Sequence, residues 1–495
     1  MSFSSRPRRR ATLALIIAAF GIIGALGGCG PQGALPRPDF AKLRVAGYAV
    51  ADEPRAAAIG RDILAQGGSA TDAGVALALA LTVTLPSRAS LGGGGACLLR
   101  GGRDATEDQL LVKPPPPAPL PVESIAFLPG PAKQGGGIGL PMLARGLAAA
   151  HAKYGRLRWE QVVAPAEKLA LFGAPVSRAF IRDIAAAGAE ITGPTGKTLA
   201  EGDLLPQGEL GETLAVLRQR GAADLYTGRL AASFVAESDG AVDPVMLRQA
   251  IPEATMPAGV AFGRHTVYFS ATPAGTFARM LWSDAAAEPA DTAGIGRLWR
   301  AVVGTPDATA TADGLGRMIA EAAASAVKEA APPSGGDAAT GFVVVDWRGA
   351  AMACSVTMGR LFGAGKVIGE TGIIASVPVT GGAPDAVSGA ALLVVNENTS
   401  KLLGAFAGGG DRSGPQGMVE TALAAFAAPL PVDRALALPR AYGAGGTVLA
   451  EPKVPALGQV AGVACRSGLP SDQIDCTAAA DPRGAGFAET AERIR

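Results

Sequence analysis

At 495 residues the chain is long enough for two domains or one large layered domain, so core size does not limit the fold. Hydrophobic residues make up 48%, and the 68 glycines and 37 prolines are dispersed between apolar periodic stretches, which excludes collagen-like and disordered classes. The 44 basic and 43 acidic residues leave a net charge of +1, no excess with which to collect phosphates; nucleic acid is therefore excluded, and a small molecule or a protein is the expected partner.

In chain order, residues 1–28 read as a lipoprotein signal peptide. Arg6, Arg8, Arg9 and Arg10 precede the apolar run 11–26, and Leu26-Gly27-Gly28-Cys29 sets small residues immediately before a cysteine. The layout resembles a bacterial lipobox, which makes Cys29 the acylated residue and places the chain on the periplasmic side of a membrane. Gly30, where an aspartate would hold the chain back, favours the outer membrane over the inner one. Residues 29–42 then form a tether.

Folded sequence begins near Leu43 with a strand over 45–50. Residues 53–66 carry Ala57, Ile59, Ile63 and Leu64 at helical spacing and stop at Gly67-Gly68. A second helix starts at Ser69 or Thr71 as cap, with Asp72 in its first turn, and its all-round apolar pattern through Val75 and Leu79 predicts burial. Four glycines, 92–95, then either approach a ligand or pack tightly before the strand-like Ala96-Cys97-Leu98-Leu99.

If Cys29 carries lipid, four cysteines remain. Cys465 and Cys476 flank Gly468-Leu469-Pro470 and are expected to pair in an oxidising compartment, whereas Cys97 and Cys354, in apolar surroundings, are expected to be buried thiols. With His151 and His265 as the whole histidine complement, no histidine cluster exists to hold a metal.

The order of these blocks resembles the gamma-glutamyltranspeptidase family. Asp62-Ile63-Leu64-Ala65-Gln66-Gly67-Gly68-Ser69-Ala70-Thr71-Asp72-Ala73 opens the likeness, and His151-Ala152-Lys153-Tyr154-Gly155, Trp159, Leu225-Tyr226-Thr227-Gly228 and Gly369-Glu370-Thr371-Gly372 continue it. Asp481-Pro482-Arg483-Gly484-Ala485-Gly486 closes it. The likeness fades between about 285 and 339, an Ala/Gly-rich stretch that includes Pro332-Pro333-Ser334-Gly335-Gly336 and marks the natural linker.

The resemblance implies an α+β fold, the four-layer αββα sandwich of N-terminal-nucleophile hydrolases, with a large-subunit-like region 43–338 and a small-subunit-like region 339–495. It implies no cofactor. In the family a threonine released by self-cleavage attacks a γ-glutamyl amide. Here the strand after the linker reads Ala339-Thr340-Gly341-Phe342-Val343-Val344-Val345-Asp346. Aligning Phe342 and Asp346 with the family's pattern sets the attacking threonine on Ala339, its neighbour on Thr340 and a histidine on Gly341. A one-residue slip that made Thr340 the nucleophile would exchange the two faces of the strand, against Phe342 and Val344.

The substrate ligands thin out in the same way. The arginine that grips the glutamyl carboxylate falls on Lys113, which lacks the bidentate fork. An asparagine falls on Gly359, the amine-binding acids fall near Pro378, and a serine pair falls on Val387 and Ser388. What persists is Thr357, matching a threonine that supports the nucleophile, and Gly408-Gly409, matching backbone donors to the oxyanion. These substitutions point to an exported γ-glutamyl hydrolase scaffold with lost or altered activity. The alternatives are a diverged amidase or acylase using Thr340 after self-cleavage, and an active glutathione hydrolase. The corresponding partners are a γ-glutamyl or related amide, or a protein.

Overall fold

The structure, a computed structural model, describes residues 43–103, 120–133, 137–286, 338–379, 389–427, 429–444, 447–451, 457–471 and 474–494. Cys29, Lys113, Val387 and Ser388 lie outside the described residues, as does the linker 287–337.

The first strand, β1 (Leu43–Ala51), leads into α1 (Pro54–Ala65). Glu53 caps this helix by accepting from the Ala56 amide at 2.8 Å, and Pro54 stands in the first turn, where a missing N–H leaves no bond unmade. Ser69 is the cap of α2 (Ala70–Thr84): its Oγ accepts from Asp72 N at 3.1 Å while Asp72 accepts from Ser69 N at 2.8 Å, a reciprocal capping box. Every residue of α2 is buried, as its pattern required. Of the glycine run, Gly94 and Gly95 already belong to β2 (Gly94–Arg100), and a Cβ at Gly95 would stand 2.4 Å from the Ser355 carbonyl. The run is there for close packing of strands.

The remaining elements needed here are β3 (Val122–Phe127), α3 (Leu143–Tyr154), α4 (Trp159–Phe172), β4 (Glu253–Thr255), β5 (Gly259–Phe262), β6 (His265–Phe269) and α5 (Pro273–Ala286). After the linker come β7 (Ala339–Asp346), β8 (Ala351–Thr357), β9 (Ala390–Asn396), β10 (Lys401–Gly409), α6 (Gly414–Phe426), β11 (Gln459–Leu469), β12 (Cys476–Ala480) and β13 (Phe487–Ile494). Among the described residues these strands make a seven-stranded sheet in the order β13-β1-β7-β8-β2-β3-β4 and a six-stranded sheet in the order β12-β11-β10-β9-β6-β5. Both sheets mix strands from before and after the linker.

Three buried clusters give the layers. Ala49, Leu77, Phe342, Val344 and Cys354 lie between the first sheet and the helices α1 and α2. Val343, Val345, Ala353, Leu393, Ala405 and Ala407 lie between the two sheets. Leu392, Phe406, Met418 and Trp282 lie between the second sheet and the helices α5 and α6. The result is helix, sheet, sheet, helix, with alternate residues of β7 pointing to opposite layers.

One expectation is corrected. Cys97 and Cys354 are not free thiols but a disulfide, because β2 and β8 are neighbours in the sheet and the two residues stand directly opposite in the ladder. That pairing joins residues 257 apart and cannot be read from local sequence. Cys465 and Cys476, ladder partners on β11 and β12, form a second disulfide.

Candidate active site

The head of β7 is held by its neighbours on both sides. Ala339 stands opposite Thr357 in the β7–β8 ladder, donates from its amide to the Gly410 carbonyl at 3.2 Å and accepts from the Gly410 amide at 2.8 Å. Val343 and Val345 face the other sheet, and period-two alternation puts Ala339 and Gly341 on that same face. A Cβ built on Gly389, just before β9, would lie 3.2 Å from the Ala339 Cβ, so the position read as the nucleophile's presents a methyl group toward the second sheet.

Thr340 points the other way, to the face that carries Phe342 and Val344. Its hydroxyl donates to Asp52 Oδ2 at 2.8 Å, and the Gly341 amide donates to the same oxygen at 3.3 Å. Both Thr340 and Asp52 are buried. Burial pushes the Asp52 carboxyl up to about 6, against the opposing influence of the Arg88 charge and the hydrogen bonds from Thr340 and Gly341. Arg88 grips Asp183 through two bonds, Nε to Oδ2 at 2.7 Å and Nη2 to Oδ1 at 2.6 Å, and reaches the Ala339 carbonyl with Nη1 at 3.1 Å.

Sequence reasoning missed Asp52, Arg88 and Asp183. A usable signal existed for Arg88, a guanidinium flanked by Leu85, Pro86, Ala89 and Leu91 just after the all-apolar helix, where a buried charge requires a partner.

The other expected residues are placed as follows. Thr357 Oγ1 donates to the Ala338 carbonyl at 2.5 Å and accepts from the Gly359 amide at 2.9 Å, so it braces the peptide ahead of Ala339. Gly359 has a φ of +80°, and a Cβ there would meet Val377 Cγ2 at 2.5 Å; an asparagine would be strained and crowded. Gly341 faces the Ala407 carbonyl, which a Cβ added at this glycine would meet at 2.8 Å, leaving a histidine no room without a shift.

Gly408 and Gly409 sit within β10, opposite Val460 and Gln459 of β11. A Cβ on Gly408 would press on the Gly414 carbonyl at 2.4 Å, and one on Gly409 would press on the Gly341 amide at 2.7 Å. Close backbone approach accounts for both glycines. Pro378 is described, and no acidic residue occupies 377–379. The structure thus brings Ala339, Thr340, Thr357 and Gly409 together at one end of the paired sheets.

Two further polar features complete the region. Ser355 is buried on the inter-sheet face, and its Oγ has no hydrogen-bond partner among the described residues. The histidines are elsewhere: His151 Nε2 lies 3.3 Å from Asp72 Oδ1, and His265 opens β6. A surface cavity of 590 Å³ bordered by Glu212, Arg229, Glu237 and Glu370 does not include the head of β7.

What the arrangement can do follows from these contacts. On the inter-sheet side it offers no oxygen at residue 339 with which to open acyl transfer. On the helix side it offers a hydroxyl bonded to a carboxylate, next to a carbonyl held by Arg88 and Gly410.

Comparison with known proteins agrees with this architecture. Residues 56–280 match the sequence profile of the gamma-glutamyltranspeptidase family, "Gamma-glutamyltranspeptidase". The glutathione hydrolase proenzyme of Bacillus subtilis (strain 168) is 31% identical over 202 residues, 37% of this chain and 34% of that protein. Human glutathione hydrolase 7 is 33% identical over 204 residues, 39% of this chain and 31% of that protein. The matched stretch therefore spans about a third of the length of these curated relatives. In three dimensions the cephalosporin acylase of Bacillus halodurans superposes with a TM-score of 0.65 over 93% of this chain and 99% of its own, at 17% identity. That likeness carries the fold, an α+β layered sandwich, and nothing of the acylase's chemistry.

Proposed function

Since the chain is a member of the gamma-glutamyltranspeptidase family over residues 56–280, we propose that it is an exported scaffold of that family in which threonine-dependent γ-glutamyl chemistry has been lost. The observation that carries this reading is the orientation at the head of β7: Ala339 faces the second sheet, while the hydroxyl of the next residue, Thr340, is turned to the opposite face and tied to Asp52 at 2.8 Å. Acyl transfer needs an oxygen aimed at the substrate carbonyl, and a methyl group supplies none.

The absent polar ligands support the same reading. Each charge-assisted hydrogen bond to an amino-acid head group contributes roughly 1.5–3 kcal/mol, so losing several removes most of the affinity for a glutamyl moiety. Export as a lipoprotein is supported by Leu26-Gly27-Gly28-Cys29 and by two disulfides, which persist in oxidising compartments. In this reading the sandwich serves as a binding or assembly platform anchored by lipid at Cys29 on the periplasmic side of a membrane.

The test is incubation of the folded, purified chain with γ-glutamyl-p-nitroanilide, followed by a reduced denaturing gel and N-terminal sequencing. The reading expects no p-nitroaniline above the uncatalysed background and one uncut chain. Release of p-nitroaniline would establish the family's ordinary activity and sink the proposal.

A second reading, a diverged amidase or acylase, is favoured by one specific observation. The Thr340 hydroxyl is bonded to a carboxylate that titrates near 6, and the Ala339 carbonyl receives Arg88 Nη1 and the Gly410 amide. Asp52 would take the hydroxyl proton as Thr340 Oγ1 attacks the Ala339 carbonyl carbon. The C–N bond would break as Asp52 returns that proton to the departing Thr340 nitrogen, giving an ester and a free Thr340 amine, and water would hydrolyse the ester to the Ala339 carboxylate and the Thr340 hydroxyl. This reading expects two fragments on the same gel, the smaller beginning at Thr340.

A further inference from the structure

The four described cysteines form two bridges that differ in kind. Cys465–Cys476 closes an 11-residue separation within the region after the linker. Cys97–Cys354 spans 257 residues, with Cys97 on β2 ahead of the linker and Cys354 on β8 behind it. These two residues are direct ladder partners near the centre of the seven-stranded sheet, and both are fully buried in the cluster beneath the helices. Cys476, by contrast, is only partly buried.

We propose that Cys97–Cys354 is a permanent covalent strap between the two halves of the sandwich, holding 43–338 to 339–495 independently of the backbone that joins them. Three consequences follow from its position. Any cut of the chain between residues 98 and 353 leaves both pieces in one covalent molecule. The bond closes the longer loop of the two, so it removes more freedom from the unfolded chain. Its sulfurs are also out of reach of a reductant until the sheet opens, so it acts as a lock and not as a redox switch. The inference does not depend on whether Thr340 or any other residue cleaves the chain.

The direct test is a tryptic map of the full chain, denatured in alkylating reagent without reductant. Cleavage after Arg88, Arg100, Arg348 and Arg360 yields peptides 89–100 and 349–360, which carry Cys97 and Cys354. The strap expects one linked species at the summed mass less two hydrogens. Dithiothreitol should resolve it into two thiol peptides, its own two thiols closing to a disulfide as they supply the two electrons and two protons. Finding the two peptides already separate and alkylated would overturn the proposal.

A second measurement tests the lock. The native chain is treated with dithiothreitol and pulse-alkylated, and the strap expects Cys465 and Cys476 to be labelled at least tenfold faster than Cys97 and Cys354. Equal rates would show that the central bridge is accessible and would remove its role as a permanent tie. A third uses a site-specific protease sequence inserted between Ser334 and Gly335 and cut in the denatured chain. One band without reductant and two with it are expected, and two bands without reductant would refute the strap.

Discussion

Two regions of the molecule differ in what surrounds their polar groups: the Asp72 region, inside the matched residues 56–280, and the head of β7, outside them. Around Asp72 every polar partner is in place: its carboxylate accepts from Ser69 N at 2.8 Å, Ser69 Oγ at 3.0 Å, Arg156 N at 2.9 Å and Leu157 N at 3.2 Å, with His151 alongside. At the head of β7 residues 339 and 341 are alanine and glycine, and a Cβ at Gly341 or at nearby Gly359 would meet the Ala407 carbonyl or the Val377 side chain. At Asp72 the polar groups tie the start of α2 to the loop 156–157; at the head of β7, Thr340 and Asp52 are paired on the helix side, while Ala339 and Gly341 carry no polar side-chain atom toward the second sheet.

The strongest way to break that comparison is to remove Asp72. Asp72→Ala would leave the Ser69, Arg156 and Leu157 amides without their acceptor, and a loss of about 3–5 kcal/mol, or failure to fold, is expected in urea titrations. Burial alone would raise this carboxyl, but the bonds from His151, Ser69, Arg156 and Leu157 hold it below its ordinary value. The stability it supplies is therefore present above the unfolded pKa and lost in acid as pH falls through the lower, folded value. A drop of less than about 1 kcal/mol would show that the knot is dispensable.

Asp52 behaves in the opposite sense and sharpens the contrast. Its folded pKa, about 6, lies above the ordinary 3.8, so the stability linked to its protonation is complete below the unfolded value and disappears as pH rises through the folded one. Between about pH 4 and pH 7 this group costs on the order of 3 kcal/mol. Asp52→Asn, which can still accept from Thr340, should abolish that slope relative to the parent chain in urea midpoints measured across the same range. Parallel curves for the two proteins would contradict the buried-carboxyl assignment.

The smallest expected effect is on activity. Ala339→Thr restores the hydroxyl without restoring the arginine, asparagine or acidic ligands, and p-nitroaniline release from γ-glutamyl-p-nitroanilide should stay at background. If that one change produced turnover, the substrate-binding side would be intact after all, and the loss would reside in the nucleophile alone.

Much of the fold was legible because its signals are local. The periodicity of 53–66, the all-apolar helix after Ser69, the strand 339–346 and the family blocks in order each need only neighbours in sequence to be recognised. The alternation of Phe342 and Val344 against Val343 and Val345 was enough to assign Ala339 and Thr340 to opposite faces, and the clusters on either side of β7 have that parity. Arg88 and Asp52 were not legible as a unit, since 35 residues lie between them; pairing of β1 with β7, Ala51 opposite Phe342, sets Asp52 beside Thr340, and Arg88 reaches the Ala339 carbonyl from the turn after α2.

The sequence by itself determined which side chains are available, and so that the side chain of residue 339 carries no oxygen, because composition and strand parity are properties of the chain alone. Only the tertiary structure decided that Thr340 is bonded to Asp52, that glycines 341, 408 and 409 sit against opposing backbone, and that Cys97 meets Cys354 across 257 residues. Those facts depend on which strands become neighbours, and strand order in a sheet is settled by burying surfaces that lie far apart along the chain.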